Sequence, residues 1–283
     1  MGNKAAVFPL QLLGFDVDVV NSVHFSNHTG YSEGWEGDVL KGDQLRAILQ
    51  GLERNGLLEN VGHILTGYIG SESFLQAVLD VVKRVREKNP DARFVCDPVL
   101  GDKGAFYVPK ELVQIYRDSV IPLANVVTPN QFEVEQLTGI AVKSLEDAKR
   151  ACQQLHKMGP QLIFITSCEF NDSEMSILAS QQLCDDNGAT KSNELWHVKC
   201  PILPGHFTGT GDLCASLLLA HTADNADLKT AMERVINTMH AVIQRTNREA
   251  SSTTDSVRAR ELRLIQSKRD IEHPPPLFTA VRL

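Results

Sequence analysis

His63-Ile64-Leu65-Thr66-Gly67, the stretch Ser71 to Lys88, and Arg93-Phe94-Val95-Cys96-Asp97 form the run that decides the fold. The first segment reads as a short strand stopped by glycine. The second carries Phe74, Leu75, Val78, Leu79, Val82 and Val85 at spacings of three and four, an amphipathic helix with a basic end. The third reads as another strand. Working outward, Ser144 to Met158 predicts a second helix, capped by Ser144 with Asp147 three residues on. It leads through Gly159-Pro160 into the apolar run Leu162-Ile163-Phe164-Ile165-Thr166, as expected of a buried parallel strand. Leu228 to Gln244 predicts a third long helix. Strand–helix–strand units in series make this an α/β chain, a mostly parallel central sheet with helices on both faces. Around Met175 to Cys200 the pattern changes. Ser176 to Ala179 and Leu195 to Val198 predict an antiparallel hairpin at the sheet edge, with a long loop over the polar Gln181 to Glu194. Neither an internal repeat nor a low-complexity linker interrupts the chain, which is read as one domain over 1–283.

The chain has 283 residues, 42 % hydrophobic and 22 % charged, an ordinary globular mixture. Its net charge of −7 and the lack of a basic tract argue against nucleic acid or an anionic membrane face as partner. The longest aliphatic stretch, Leu213 to Ala220, is far short of the ~18 apolar residues of a membrane span. Nothing at the start reads as a secretory signal, and Ala6 stands where a myristoylation site wants a hydroxyl. The six cysteines (96, 152, 168, 184, 200 and 214) form no C-x-x-C pair, so free thiols in a reducing cytosol are expected.

Three motifs carry chemistry. Thr208-Gly209-Thr210-Gly211-Asp212 opens the apolar helix Leu213 to Ala220, so unpaired N–H groups and the positive end of a helix dipole converge on one spot. Such a spot suits a phosphate, and an aspartate there can take a proton from a hydroxyl nucleophile. Asp97-Pro98-Val99-Leu100-Gly101-Asp102 leaves a strand at the carboxyl edge where α/β sheets hold ligands, and its two carboxylates could organise Mg²⁺. Thr128-Pro129-Asn130-Gln131-Phe132-Glu133 places Asn130 and Glu133 on one helical turn. Each motif alone also reads as ordinary turn or cap chemistry. Together they supply the cation, anion hole and base of phosphoryl transfer, without a P-loop. His24 and His28 are four apart but show no helical pattern and no acidic partner, so they read as a loop pair.

DPVLGD, TPNQFE, Ile165-Thr166-Ser167 and GTGDLCASLLLA, in that order, resemble the ribokinase-like superfamily, a three-layer α/β/α sandwich. Asn21 to Tyr31 (NSVHFSNHTGY), Leu65-Thr66-Gly67-Tyr68 and Gln266 to Glu272 (QSKRDIE) narrow the resemblance to the eukaryotic pyridoxal kinases. It covers essentially the whole chain and is weakest over 169–203. It implies transfer of the γ-phosphate of ATP to the 5′-hydroxymethyl of a B6 vitamer, with Mg²⁺ and a monovalent cation (K⁺ or Na⁺), by a homodimer. By that resemblance Asp212 is the base, and the Gly209 to Gly211 amides hold the transferring phosphate. Asp97, Asp102, Asn130 and Glu133 match the cation and ATP-phosphate residues. Thr128 and Thr166 match those around the monovalent cation, while Thr166, Ser167 and Thr210 line the nucleotide. Thr29 matches the polar contact to the vitamer ring, Phe25 and Tyr68 its apolar walls, and Tyr107 a tyrosine of the closing flap.

The sequence also departs from that pattern. The family's preceding interior strand and a ring-contacting serine lie before the residues matched by Gly2 to Ala6, which implies weaker vitamer affinity and lower stability. The flap after Asp102 is short, which weakens its expected shielding of the reaction from water. Two other readings are a hydroxymethylpyrimidine kinase of the same fold and a non-catalytic relative that binds nucleotide or a sister subunit.

Overall fold

The computed structural model describes residues 2–184, 190–223, 227–250 and 257–283. In chain order the elements are α1 (Asn3–Leu12), β1 (Val23–Phe25), β2 (Gly37–Val39), α2 (Gly42–Arg54), β3 (His63–Thr66), α3 (Glu72–Lys88) and β4 (Arg93–Cys96). The small pair β5 (Gly101–Asp102) and β6 (Ala105–Phe106) follows, then α4 (Leu112–Ile115), β7 (Val126–Val127), α5 (Gln131–Thr138) and α6 (Leu145–Met158). The chain closes with β8 (Leu162–Glu169), β9 (Glu174–Cys184), β10 (Thr190–Pro201), α7 (Thr210–Thr222), α8 (Leu228–Ala250), α9 (Lys268–Glu272) and β11 (Val281–Arg282).

Seven strands form the central sheet in the order β11-β10-β9-β8-β7-β4-β3. β3, β4, β7 and β8 run parallel, and β9, β10 and β11 continue antiparallel. Side chains alternate across it with a period of two. Phe94, Cys96, Val127, Ile163, Ile165 and Leu178 enter one core with α3, α5 and α6. Val95, Val126, Leu162, Phe164, Ile177 and Ala179 enter the other with α1, α7 and α8. Both faces are therefore covered, which is why these strands read as unbroken apolar runs. Burying each such side chain contributes about 1.5–3 kcal/mol, so the strands whose ends carry the site are the best anchored part of the fold.

Ser144 caps α6 by accepting the Asp147 N–H at 3.2 Å, as its sequence predicts. The hairpin expectation needs correction. Its strands extend far into the polar stretch, with Gln182 opposite Asn193 and Gln181 opposite Glu194. Polar residues on both strands of this pair hid the strand alternation; only 185–189 of the expected loop lie outside the described residues. β11 pairs with the outer side of β10, so the hairpin is not the sheet's edge. The helix α1 was also not foreseen. Its Ala5 and Leu10 are buried in the second core, where α1 packs on α7. At the opposite end of the sheet β3 pairs only with β4 among the described residues. Five cysteines are free thiols, with Cys96, Cys152, Cys168 and Cys214 buried and Cys200 half-buried; the Cys184 side chain lies outside the described residues. Among the described residues no helix is long and apolar enough to cross a membrane.

Candidate active site

The ends of the parallel strands are zipped beyond the strands themselves. Asp97 N–H donates to Thr66 O at 3.0 Å, Thr128 N–H to Cys96 O at 3.1 Å, and Thr166 N–H to Pro129 O at 3.0 Å. Main-chain hydrogen bonds thus bring Thr66, Asp97, Thr128 and Thr166 to one carboxyl edge. Helix α7 begins beside that edge. Gly209, its N-cap, has φ 89°, a left-handed conformation that favours glycine, and no side chain caps the helix. No N-cap side chain therefore competes with a ligand for the first-turn N–H groups, though the Asp212 carboxylate engages its own N–H.

Two glycines measure how closely the loops meet. A Cβ on Gly211 would lie 3.0 Å from Asp97 Oδ2, and a Cβ on Gly67 would lie 3.2 Å from Asp212 Oδ1. Asp97, Gly211, Asp212 and the β3 exit thus form one cluster, as the motifs together require. Burial pushes the Asp97 carboxyl well above the usual carboxylate range, and the charges of Glu133 and Asp212 push it the same way. Asp212 is raised as well, chiefly by burial, against the opposing pull of the Gly2 N–H. A raised aspartate is a stronger proton acceptor once ionised.

Asn130 and Glu133 form a reciprocal cap at the start of α5. Asn130 Oδ1 accepts the Glu133 N–H and Glu133 Oε2 accepts the Asn130 N–H, each at 2.9 Å. Glu133 Oε1 also accepts the Leu100 N–H at 2.9 Å, and Asn130 Nδ2 donates to Gly101 O at 2.8 Å. The cap reading of TPNQFE is therefore realised, and the same residues tie it to DPVLGD. Burial raises the Glu133 carboxyl against the pull of these N–H donors. Replacing Glu133 by alanine would leave the buried Leu100 N–H and the partly buried Asn130 N–H without their acceptor. At about 1–3 kcal/mol each, the expected loss is about 2–6 kcal/mol in chemical denaturation, with Glu133→Gln losing roughly half.

The residues matched to the cation sites offer oxygen donors only: Asp97, Asp102, Thr128, Glu133 and Thr166. The Thr128 hydroxyl is buried and interacts with the Asp97 carboxyl, whose charged form it favours, beside two buried carboxylates that no Lys or Arg neutralises among the described ion pairs. A buried hydroxyl next to uncompensated negative charge fits a hard cation. No cluster of three or more His, Cys, Asp or Glu among the described residues could by itself hold a metal. Mg²⁺ held here would take its remaining ligands from waters and phosphates.

Around this centre the flap is a two-residue turn, with φ 47° at Lys103 and 81° at Gly104, joining β5 to β6. Lys103 Nζ pairs with Glu169 Oε1 at 3.2 Å, across to the end of β8, and Tyr107 is half-exposed behind the turn. Thr166 and Ser167 are half-buried on β8, and Thr210 on the first turn of α7. Thr29 is exposed on the loop after β1. Phe25 stacks on Trp35 with ring centroids 3.8 Å apart, and Tyr68 is 42 % exposed, so neither is the core aromatic its type alone suggests. His24 and His28 form no metal cluster. Sequence reasoning missed Trp35 and Gly67. Trp35 has no local signal, and the meaning of Gly67 emerges only when Asp212 lies against it.

The sequence matches the model of the family described as phosphomethylpyrimidine kinase over residues 19–255. It is 47 % identical to the pyridoxal kinase of Arabidopsis thaliana, over 100 % of this chain and 90 % of that protein. To the pyridoxal kinase of Homo sapiens it is 43 % identical, over 100 % and 94 %. The structure is similar to that of a Leishmania donovani pyridoxal kinase in complex with ADP and pyridoxamine, with TM-score 0.91 and 33 % identity, covering 100 % of this chain and 95 % of that one. On these identities, over the whole of this chain and nine-tenths or more of each relative, the chain belongs to the pyridoxal kinase family of the ribokinase-like superfamily.

Proposed function

We propose that the chain transfers the γ-phosphate of ATP to the 5′-hydroxymethyl of pyridoxal, pyridoxine or pyridoxamine, within one domain spanning 1–283. The observation that carries this is the meeting of Asp97, Gly211 and Asp212 at the uncapped start of α7. Asp212 accepts the proton of the substrate hydroxyl as its oxygen bonds to the γ-phosphorus. The bond from that phosphorus to the bridging oxygen breaks, and ADP leaves. The Gly209 to Gly211 amides receive the phosphoryl oxygens, with no proton to move. Asp97, Asp102 and Glu133 would hold Mg²⁺, and Thr128 and Thr166 the monovalent cation (K⁺ or Na⁺). Bound there, the cations supply neutralising charge to the phosphates. Asn130, Thr166, Ser167 and Thr210 contact the nucleotide, and Thr29, Phe25, Tyr68 and Tyr107 surround the vitamer.

Incubation with MgATP and pyridoxal should yield pyridoxal 5′-phosphate and ADP in equal amounts; absence of both overturns the reading in favour of a non-catalytic binding protein. The description of the matching family model favours hydroxymethylpyrimidine as a second substrate to test. The vitamers should exceed it in kcat/KM by about tenfold or more. Omission of Mg²⁺ should abolish turnover. A homodimer in the cytosol belongs to the same reading, checked by light scattering and by cell fractionation.

A further inference from the structure

One side-chain contact outside the phosphate site ties the loop bearing Thr29 to the far end of the chain. Tyr31 Oη donates to Glu261 Oε1 at 2.7 Å, between half-buried residues 230 positions apart. On the Tyr31 side the loop is braced from within. The His28 ring packs on the Tyr31 ring at 4.8 Å, and His28 Nδ1 accepts the Gly30 N–H at 3.2 Å. Asn27 Nδ2 donates to Gly34 O at 2.9 Å. Thr29 therefore sits at the tip of a preformed turn whose placement depends on what Tyr31 grips.

Glu261 is a firm grip. It follows the helical turn Val257–Arg260, and its neighbour Leu262 is buried in the second core. Arg263 N–H donates to Thr246 Oγ1 at 3.0 Å and its Nε pairs with Glu249 Oε2 at 2.9 Å, both on α8. The same turn borders the approach to α7, since a Cβ on Gly205 would lie 3.2 Å from Arg260 Nη1. The Tyr31–Glu261 bond thus spans from the substrate loop to the scaffold behind the phosphate-receiving helix.

We propose that Tyr31 and Glu261 are positioning residues that set the affinity for the pyridine substrate by holding the Thr29 loop in its binding-competent place. This rests on the functional reading above, in which Thr29 contacts the vitamer ring. Neither residue belongs to the nucleotide or phosphate machinery. Without the bond, the loop must be ordered at the moment of binding, a cost that falls on vitamer affinity and not on the chemical step.

The test is Tyr31→Phe, which deletes one hydroxyl and keeps the ring on His28. Because a hydrogen bond to a charged acceptor is lost, KM for pyridoxal should rise about 10- to 150-fold. The KM for ATP, kcat at saturating vitamer and the melting temperature should stay near wild type. Glu261→Ala should match it, Glu261→Gln should retain near-wild-type KM through its amide oxygen, and Tyr31→Phe/Glu261→Ala should be no worse than either single change. An unchanged pyridoxal KM in Tyr31→Phe, an equal rise in the ATP KM, or additive single effects would overturn the proposal. A wild-type chain that makes no product would instead overturn the functional reading, and the proposal with it.

Discussion

Asp212→Ala is expected to lower pyridoxal 5′-phosphate formation by about 10²–10⁴-fold, the usual contribution of a general base. The loss should appear in kcat. Asp212 stands against Gly67 and within charge range of Asp97, two positions that gain nothing from its negative charge. Removing that charge relieves repulsion with Asp97 but also frees the Gly2 N–H that the carboxyl holds, so stability should change little, and ATP should bind slightly tighter. Asp212→Asn, of the same shape but unable to accept the proton, should be as slow as the alanine variant. Rapid-quench measurement of product decides. A variant turning over at the wild-type rate would remove Asp212 from the chemistry and leave the α7 amides as the whole of the site.

Gly211→Ala is expected to separate activity from stability in the opposite way. Gly211 lies in the first turn of α7 and does not have a positive φ, so alanine is conformationally acceptable and favours the helix by roughly 0.5–1 kcal/mol. Its Cβ, however, would come 3.0 Å from Asp97 Oδ2, and Asp97 is only 5 % exposed, with little room to swing away. The methyl would therefore press on Asp97 beside the amides proposed to receive the phosphoryl oxygens. The substitution keeps the N–H but displaces it, and outright loss of such a donor costs about 10²–10³-fold, so kcat should fall by up to about that factor while the melting temperature changes little. Unlike Asp212→Ala, this variant should also weaken ATP, because it narrows the cradle itself. A fully active Gly211→Ala enzyme would show that the phosphate is received elsewhere.

The contrast between these two glycine-adjacent positions shows where sequence reasoning reaches its end. The order and type of the central elements were legible because they rest on local periodicity: apolar residues every three or four positions in α3 and α8, and unbroken apolar runs in β4 and β8. The Ser144 cap was legible for the same reason, since donor and acceptor are three residues apart. The β9–β10 pair was not. Its outer halves are stabilised by cross-strand pairing of polar residues, and pairing is invisible in either strand alone.

The residues by themselves determined the chemistry available: a glycine-rich helix start with an aspartate, two further acidic loops, and a family resemblance carried by their order. The folded chain alone decided how those groups act on one another. Glu133 became a clasp between two loops as well as a carboxylate, because Leu100 delivers its N–H from 33 positions away. Tyr31 met Glu261, and Gly211 was confined by Asp97, through contacts that no spacing encodes. Short-range order is written in the chain because helices and caps close within a few residues. Long-range proximity follows only when burial of both sheet faces brings distant segments together.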